Sequence, residues 1–148
     1  MKEKILLDTD IGSDIDDAIC LSYLLSNPFC QILGITTVTG ESEKRSMMAS
    51  YLIEKSEKNI PVYPGCEKPI IGEQKQKICP QFEYLEKISY RKSCEKFAWL
   101  NFLRKTIREN PGEINLITIG PLTNIGILFS SDPEIPDLLK GLYIMGGM

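Results

Sequence analysis

The chain has 148 residues, 43% of them hydrophobic and 25% charged, with a net charge of -3. That is one domain's worth of chain with ordinary soluble composition. The acidic balance and the lack of a Lys/Arg stripe argue against a nucleic-acid surface, and no stretch approaches the ~18 apolar residues that a membrane span needs. Histidine is absent. This excludes Ser-His and Cys-His nucleophile pairs and His-ligated zinc within the chain.

Taken in order, KILLD (4–8) predicts a short buried strand ending in acids. DDAICLSYLLS (16–26) has helical apolar spacing and is stopped by Asn27-Pro28. QILGITTV (31–38) is β-rich and nearly all apolar, as a strand buried on both faces should be. Residues 42–58 predict a helix with Ser42 as N-cap and Met47, Met48, Tyr51 and Leu52 on one face. IPVYPG (60–65) reads as a short strand and turn, and residues 66–93 as a long surface excursion. Residues 94–110 predict a helix through Phe97, Leu100, Leu103 and Ile107, closed by Pro111-Gly112. INLITI (114–119) is a strand, 120–132 a turn running into a helix, and GLYIMGG (141–147) a further strand. Strands alternating with helices predict an α/β fold, a mostly parallel sheet covered on both faces. The charged residues of 41–58 and 83–109 read as solvated helix faces. The five cysteines (Cys20, Cys30, Cys66, Cys79, Cys94) show no CxxC spacing, which suits reduced, mostly buried thiols in a cytoplasmic protein.

The densest chemistry lies between the first strand and first helix. Asp8, Asp10, Asp14, Asp16 and Asp17 fall within ten positions. In an open parallel sheet, ligand sites form at the carboxyl ends of strands. Acidic capping of a helix N-terminus accounts for one or two of these aspartates but not for five. Hard oxygens converging on one point suit Ca²⁺ or Mg²⁺. The EF-hand pattern fails, since the sixth loop position counted from Asp8 is Ser13 and the twelfth is Ile19. A phosphotransferase of the haloacid dehalogenase type, with its strand-D-x-D start, is an alternative that fits Asp8-Thr9-Asp10 but not the Ile11-Gly12 that follows.

ILLDTDIGSDIDDA resembles the N-terminal DTDPGxDDA signature of the inosine-uridine-preferring nucleoside hydrolases. LGITTVTGE, ITIGPLTNI and YIMGG are similar to three further blocks of that family, in the same order, so the resemblance spans the chain from about Lys4 to Met148. It implies a Rossmann-like core and Ca²⁺-dependent hydrolysis of the N-glycosidic bond of ribonucleosides, passing through an oxocarbenium-like ribose. By the same resemblance, Asp10 is the catalytic base and a metal ligand, and Asp17 is a metal ligand. Thr123 supplies a metal-ligating carbonyl, Asp16 contacts the ribose hydroxyls, Met145 packs beside the ribose, and Asp8 supports the ligands from behind. Without the resemblance, Thr123 reads as an N-cap and Met145 as a core methionine.

Three departures from the family pattern stand out. The aspartate loop is two residues longer, which makes Asp14 a candidate for a ligand role assigned to Asp16 or Asp17. Glu41 stands where asparagine is usual, as a substrate-binding candidate with added negative charge. The family continues well past the MGG block, and that remainder carries a further aspartate ligand and base-contacting residues. The expectation is therefore the N-terminal half of a site and a sheet lacking its later strands. Its partners would be a ribosyl small molecule and further copies of itself, as the family forms oligomers. The alternative from another class is a non-catalytic remnant or interaction module that completes its sheet with another chain.

Overall fold

The computed structural model describes residues 2–85 and 98–146. Five strands, β1 (Glu3–Thr9), β2 (Cys30–Thr37), β3 (Val62–Pro64), β4 (Ile114–Thr118) and β5 (Gly141–Ile144), form one sheet in the order β3-β2-β1-β4-β5. Every pairing is parallel. The helices α1 (Asp16–Ser26), α2 (Ser42–Lys55), α3 (Trp99–Glu109) and α4 (Thr123–Ser131) supply the crossovers.

The continuous apolar runs of the central strands follow from burial on both faces. Ile5, Leu7 and Ile35 point to one side, where they pack with Leu21, Leu24 and Leu25 of α1 and Ala49 and Ile53 of α2. Leu6, Ile114 and Leu116 point to the other, against Leu103 and Ile107 of α3 and Ile125 and Leu128 of α4. The predicted α/β architecture is therefore the observed one. Among the described residues, no helix is long and apolar enough to cross a membrane. Cys20, Cys30, Cys66 and Cys79 are unpaired thiols; Cys94 and the predicted start of the third helix, 94–97, lie outside the described residues, as does Gly147 of the MGG block.

Three expectations need correction. Ser42 is not the N-cap of α2. That position is Glu41, in the left-handed conformation (φ 58°) with no side-chain cap, and the Ser42 hydroxyl donates to Gly65 O at 2.9 Å.

The most buried stripe of α2 is Ser42, Arg45, Ser46, Ala49, Ser50 and Ile53 rather than the methionine face. Its small side chains let the helix sit close to the sheet, while Met48 and Leu52 flank the core. Arg45 is fully buried, so the charges of this segment are not all a solvated face.

Nor are residues 66–85 a bare surface excursion. A short 3-10 turn, Pro80–Tyr84, seats Phe82 with Cys79 and Leu85 against Met47, Met48 and Tyr51 of α2. The remainder of that prediction, 86–93, lies outside the described residues.

Candidate active site

The strand order reverses direction around β1, with β2 then β3 on one side and β4 then β5 on the other. The crevice beyond the carboxyl ends of β1 and β4 is where such a sheet leaves room for a ligand. The aspartate loop leaves β1 there, and the Gly120-Pro121-Leu122-Thr123 turn leaves β4 beside it. A Cβ on Gly120 would lie 2.9 Å from Asp10 N and 3.1 Å from Asp10 Oδ1, so only glycine lets the two loops approach this closely.

A cleft of about 300 Å³ opens between them, lined by Asp10, Ser13, Asp14, Asp16, Asp17, Gln76, Gly120 and Met145 among others. Asp10 and Asp17 are buried in its floor, whereas Asp14 and Asp16 are exposed at its rim. Asp16 and Asp17 form the first turn of α1, which follows Ile15 without a side-chain cap. Their charge is favoured there by the helix dipole, but Asp17 is turned inward.

A relay of hydrogen bonds fixes its carboxylate. Ile11 N–H donates to Thr9 Oγ1 at 3.1 Å, and Thr9 Oγ1 donates to Asp17 Oδ1 at 2.7 Å. Burial pushes Asp17 up to about 7; the Thr9 hydroxyl opposes this and the adjacent Asp10 carboxylate adds to it.

Asp8 lies behind the cleft, fully buried in β1. Its Oδ1 accepts from Thr36 Oγ1 at 2.5 Å and from Asn124 Nδ2 at 2.7 Å, while Oδ2 has no partner among the described residues. Burial pushes Asp8 up to about 7 despite those two donors. Asn124 also donates to Thr37 O at 3.0 Å and accepts from Cys66 N at 2.9 Å, tying β1, β2, α4 and the segment after β3 together. With no exposure, Asp8 is withdrawn from the cleft, and a phosphotransferase nucleophile at this position is not supported.

The other predicted residues are placed as follows. Met145 lines the cleft as the residue after β5, its N–H donating to Thr118 O at 2.8 Å. Thr123 is buried and lines a neighbouring cleft that shares Gln76 and Pro121 with the first. It is the first residue of α4 rather than its N-cap, which is Leu122. Glu41 does not line the aspartate cleft. Its Oε1 accepts from Lys44 Nζ at 2.6 Å and its Oε2 from Cys79 N at 2.7 Å, so it braces the loop across the site. The Lys44 contact foremost holds its carboxyl below the usual range.

Two residues that the sequence did not single out join the site. Gln76 reaches in from the segment after β3 and accepts from Ser13 Oγ at 3.3 Å. Arg45 donates from beneath to the backbone of the aspartate loop.

Asp10 and Asp17 are the two buried oxygen-bearing side chains of this cleft that could hold a hard cation. Two buried carboxylates lie side by side with one pushed toward protonation, a combination that a divalent ion would relieve. Among the described residues no three acidic or thiol side chains converge in metal-holding geometry. Further side-chain oxygens that line the cleft belong to Ser13, Asp14, Asp16 and Gln76.

Known proteins match this chain along nearly its whole length. A sequence model described as inosine-uridine preferring nucleoside hydrolase matches residues 5–148. The chain is 31% identical over 159 residues to the pyrimidine-specific ribonucleoside hydrolase RihB of Escherichia coli O9:H4 (strain HS), covering 99% of this chain and 48% of that protein. Among solved structures, the plant nucleoside hydrolase PpNRh1 superposes with a TM-score of 0.85 at 28% identity, covering 100% of this chain and 49% of that one. An inosine-guanosine nucleoside hydrolase shares the fold at a TM-score of 0.84 and 24% identity, over 48% of its chain. The chain thus spans about half the length of the relatives it matches.

Proposed function

The chain belongs to the inosine-uridine preferring nucleoside hydrolase family, and from that premise we propose that its aspartate cleft serves hydrolysis of a ribonucleoside to ribose and free base. The observation that carries the reading is the paired burial of Asp10 and Asp17 at the end of the central strand, in a cleft also lined by Asp16 and Met145.

In this reading Asp10 and Asp17 hold a Ca²⁺ ion, joined by the Thr123 carbonyl and with Asp14 as the alternative further donor. When bound, the ion would acidify the attacking water and bind the ribose hydroxyls. Asp10 takes the proton as water attacks the anomeric carbon, its carboxylate lying close beside Gly120. Asp16 accepts hydrogen bonds from the ribose hydroxyls at the rim. The exposed Met145 side chain lies along the sugar as an apolar wall. Glu41 would contact substrate only after releasing Lys44 and Cys79. The base departs with the bonding electrons, leaving positive charge on the ribose that the clustered carboxylates favour.

The test is release of reducing sugar from inosine and from uridine with Ca²⁺ present. Turnover by the wild type that is lost in Asp10→Asn supports the proposal. Absence of ribose from both nucleosides at saturating Ca²⁺ would count against catalysis by this chain alone.

One observation favours the second reading, an interaction module. Leu142, Tyr143 and Ile144 of β5, the last strand of the described sheet, are 39–58% exposed. An edge of this kind offers apolar side chains and unpaired backbone to another chain. Light scattering that finds only monomer at all accessible concentrations would remove that reading.

A further inference from the structure

The aspartate loop runs from Asp10 to Ile15 and is two residues longer than the family signature it resembles. Nothing in its sequence stiffens it. Gly12 sits at φ 107°, Ser13 and Asp14 are small and polar, and Asp14, Ile15 and Asp16 are exposed. A longer loop has more conformations to lose before its carboxylates can hold one geometry. Something outside the loop must restrict it.

Arg45 meets that need. Its guanidinium is fully buried, and none of its hydrogen-bond partners among the described residues is a carboxylate. Nη1 donates to Asp10 O, to Ile11 O at 3.1 Å and to Ser13 Oγ at 3.0 Å. Nε donates to Gly40 O at 2.8 Å and Nη2 to Ile78 O at 2.8 Å. One side chain therefore joins the aspartate loop, the β2–α2 turn and the segment before the 3-10 turn. Ser13 passes the contact on by donating to Gln76 Oε1 at 3.3 Å. Gln76 O in turn accepts from Gly40 N at 3.1 Å and from Thr39 Oγ1 at 3.3 Å.

Arginine suits this task because its planar fork carries five donors in fixed directions and stays charged when buried. A permanent positive charge directly beneath Asp10 and Ile11 also opposes the repulsion among the carboxylates above it. Glu41 lies close enough to feel that charge, and it is itself bonded to Cys79 N in the same layer.

We infer that Arg45 is a positioning residue that presets the lengthened aspartate loop, through Asp10 O, Ile11 O and Ser13 Oγ, for the cation that Asp10 and Asp17 receive. The cation half of this statement rests on the proposed function; the loop half does not.

The test uses the whole chain with Arg45→Lys and Arg45→Met. Amide hydrogen exchange is measured in EDTA, followed by Ca²⁺ titration in a calorimeter. Lysine keeps the charge but cannot reach three segments at once, so both variants lose the fork. The expected result is exchange at least tenfold faster for amides 11–15 in both variants, with β1 and β4 amides still protected. Ca²⁺ affinity should fall at least tenfold, less for lysine than for methionine. Unchanged loop exchange overturns the inference. Equal loosening of the loop and of β1 and β4 also overturns it, because Arg45 would then be a general structural plug. A loosened loop with unchanged Ca²⁺ affinity refutes the presetting role. A wild type that binds no Ca²⁺ defeats the metal reading instead, and Arg45 is then judged on loop exchange alone.

Discussion

Thr9 and Asp17 are joined across the start of the aspartate loop: Thr9 Oγ1 donates to Asp17 Oδ1 at 2.7 Å while itself accepting from Ile11 N at 3.1 Å. The bond spans the whole loop, connecting the last residue of β1 to the first turn of α1. Thr9→Val keeps the shape and removes the donor. Residues that orient metal ligands typically contribute about 10–100-fold to affinity. The variant is expected to lose about tenfold or more in Ca²⁺ affinity by calorimetry. Its stability in urea should fall by about 1–2 kcal/mol, the scale of a buried hydrogen bond with a charged partner.

The raised carboxyls predict how stability responds to pH. Burial pushes the carboxyls of Asp8 and Asp17 up to about 7 in the folded chain, well above the ordinary carboxylate range they return to on unfolding. Between those values the folded state binds more protons than the unfolded state, so stability falls as pH rises. In EDTA the melting temperature should therefore drop between pH 4 and pH 8. Ca²⁺ should flatten the upper part of that slope, because it favours the ionised Asp17. A melting temperature that rises over this window would mean that the carboxylates are not strained.

Gly120→Ala tests the contact between the two loops. The added methyl would meet Asp10 N at 2.9 Å and Val38 Cγ1 at 2.8 Å, and a backbone atom of β1's exit cannot yield cheaply. Displacement of a reacting group by ~1 Å can lower a rate about 100-fold. Ribose release, where wild type shows it, should fall by about that factor with a native circular dichroism spectrum.

Asn124 carries a heavier structural share. Its amide donates to Asp8 and Thr37 in buried surroundings and accepts from Cys66 in a half-buried one. Asn124→Ala leaves Asp8 with Thr36 as its remaining hydrogen-bond donor. The expected loss is about 2–3 kcal/mol in urea denaturation, the range for a buried polar group left unsatisfied.

How much of this was legible in the sequence depends on the distance over which each signal acts. β1, β2 and β4 are continuous apolar runs, and their ends fell within a residue or two of the predicted ones because burial on both faces leaves no other pattern. The crowding of Asp8, Asp10, Asp14, Asp16 and Asp17 pointed unaided to the cleft that all of them but Asp8 line. Spacing alone did not divide them, and only the family resemblance set Asp8 behind the others; in the fold Asp8 turns into the sheet, Asp17 into the floor and Asp14 and Asp16 to the rim. Arg45 was hidden because it sits between Lys44 and Ser46 in a charged helix start, and nothing local says that its guanidinium meets carbonyls 33 to 35 residues away. The Cys79-Phe82-Leu85 spacing, apolar every third residue, was a readable hint of the 3-10 turn. Glu41 looked like a substrate contact from its position, but its partners Lys44 and Cys79 turn it toward the bracing loop.

The central claim is that Asp10 and Asp17 together receive one divalent cation. Calorimetric titration of the whole chain with Ca²⁺, wild type beside Asp17→Asn, tests it most directly. A single site is expected in the wild type, with affinity weaker by about 100-fold or more in the variant, since a buried charged ligand has been replaced by an amide. Equal affinity in the two proteins, or no binding by the wild type, would contradict it.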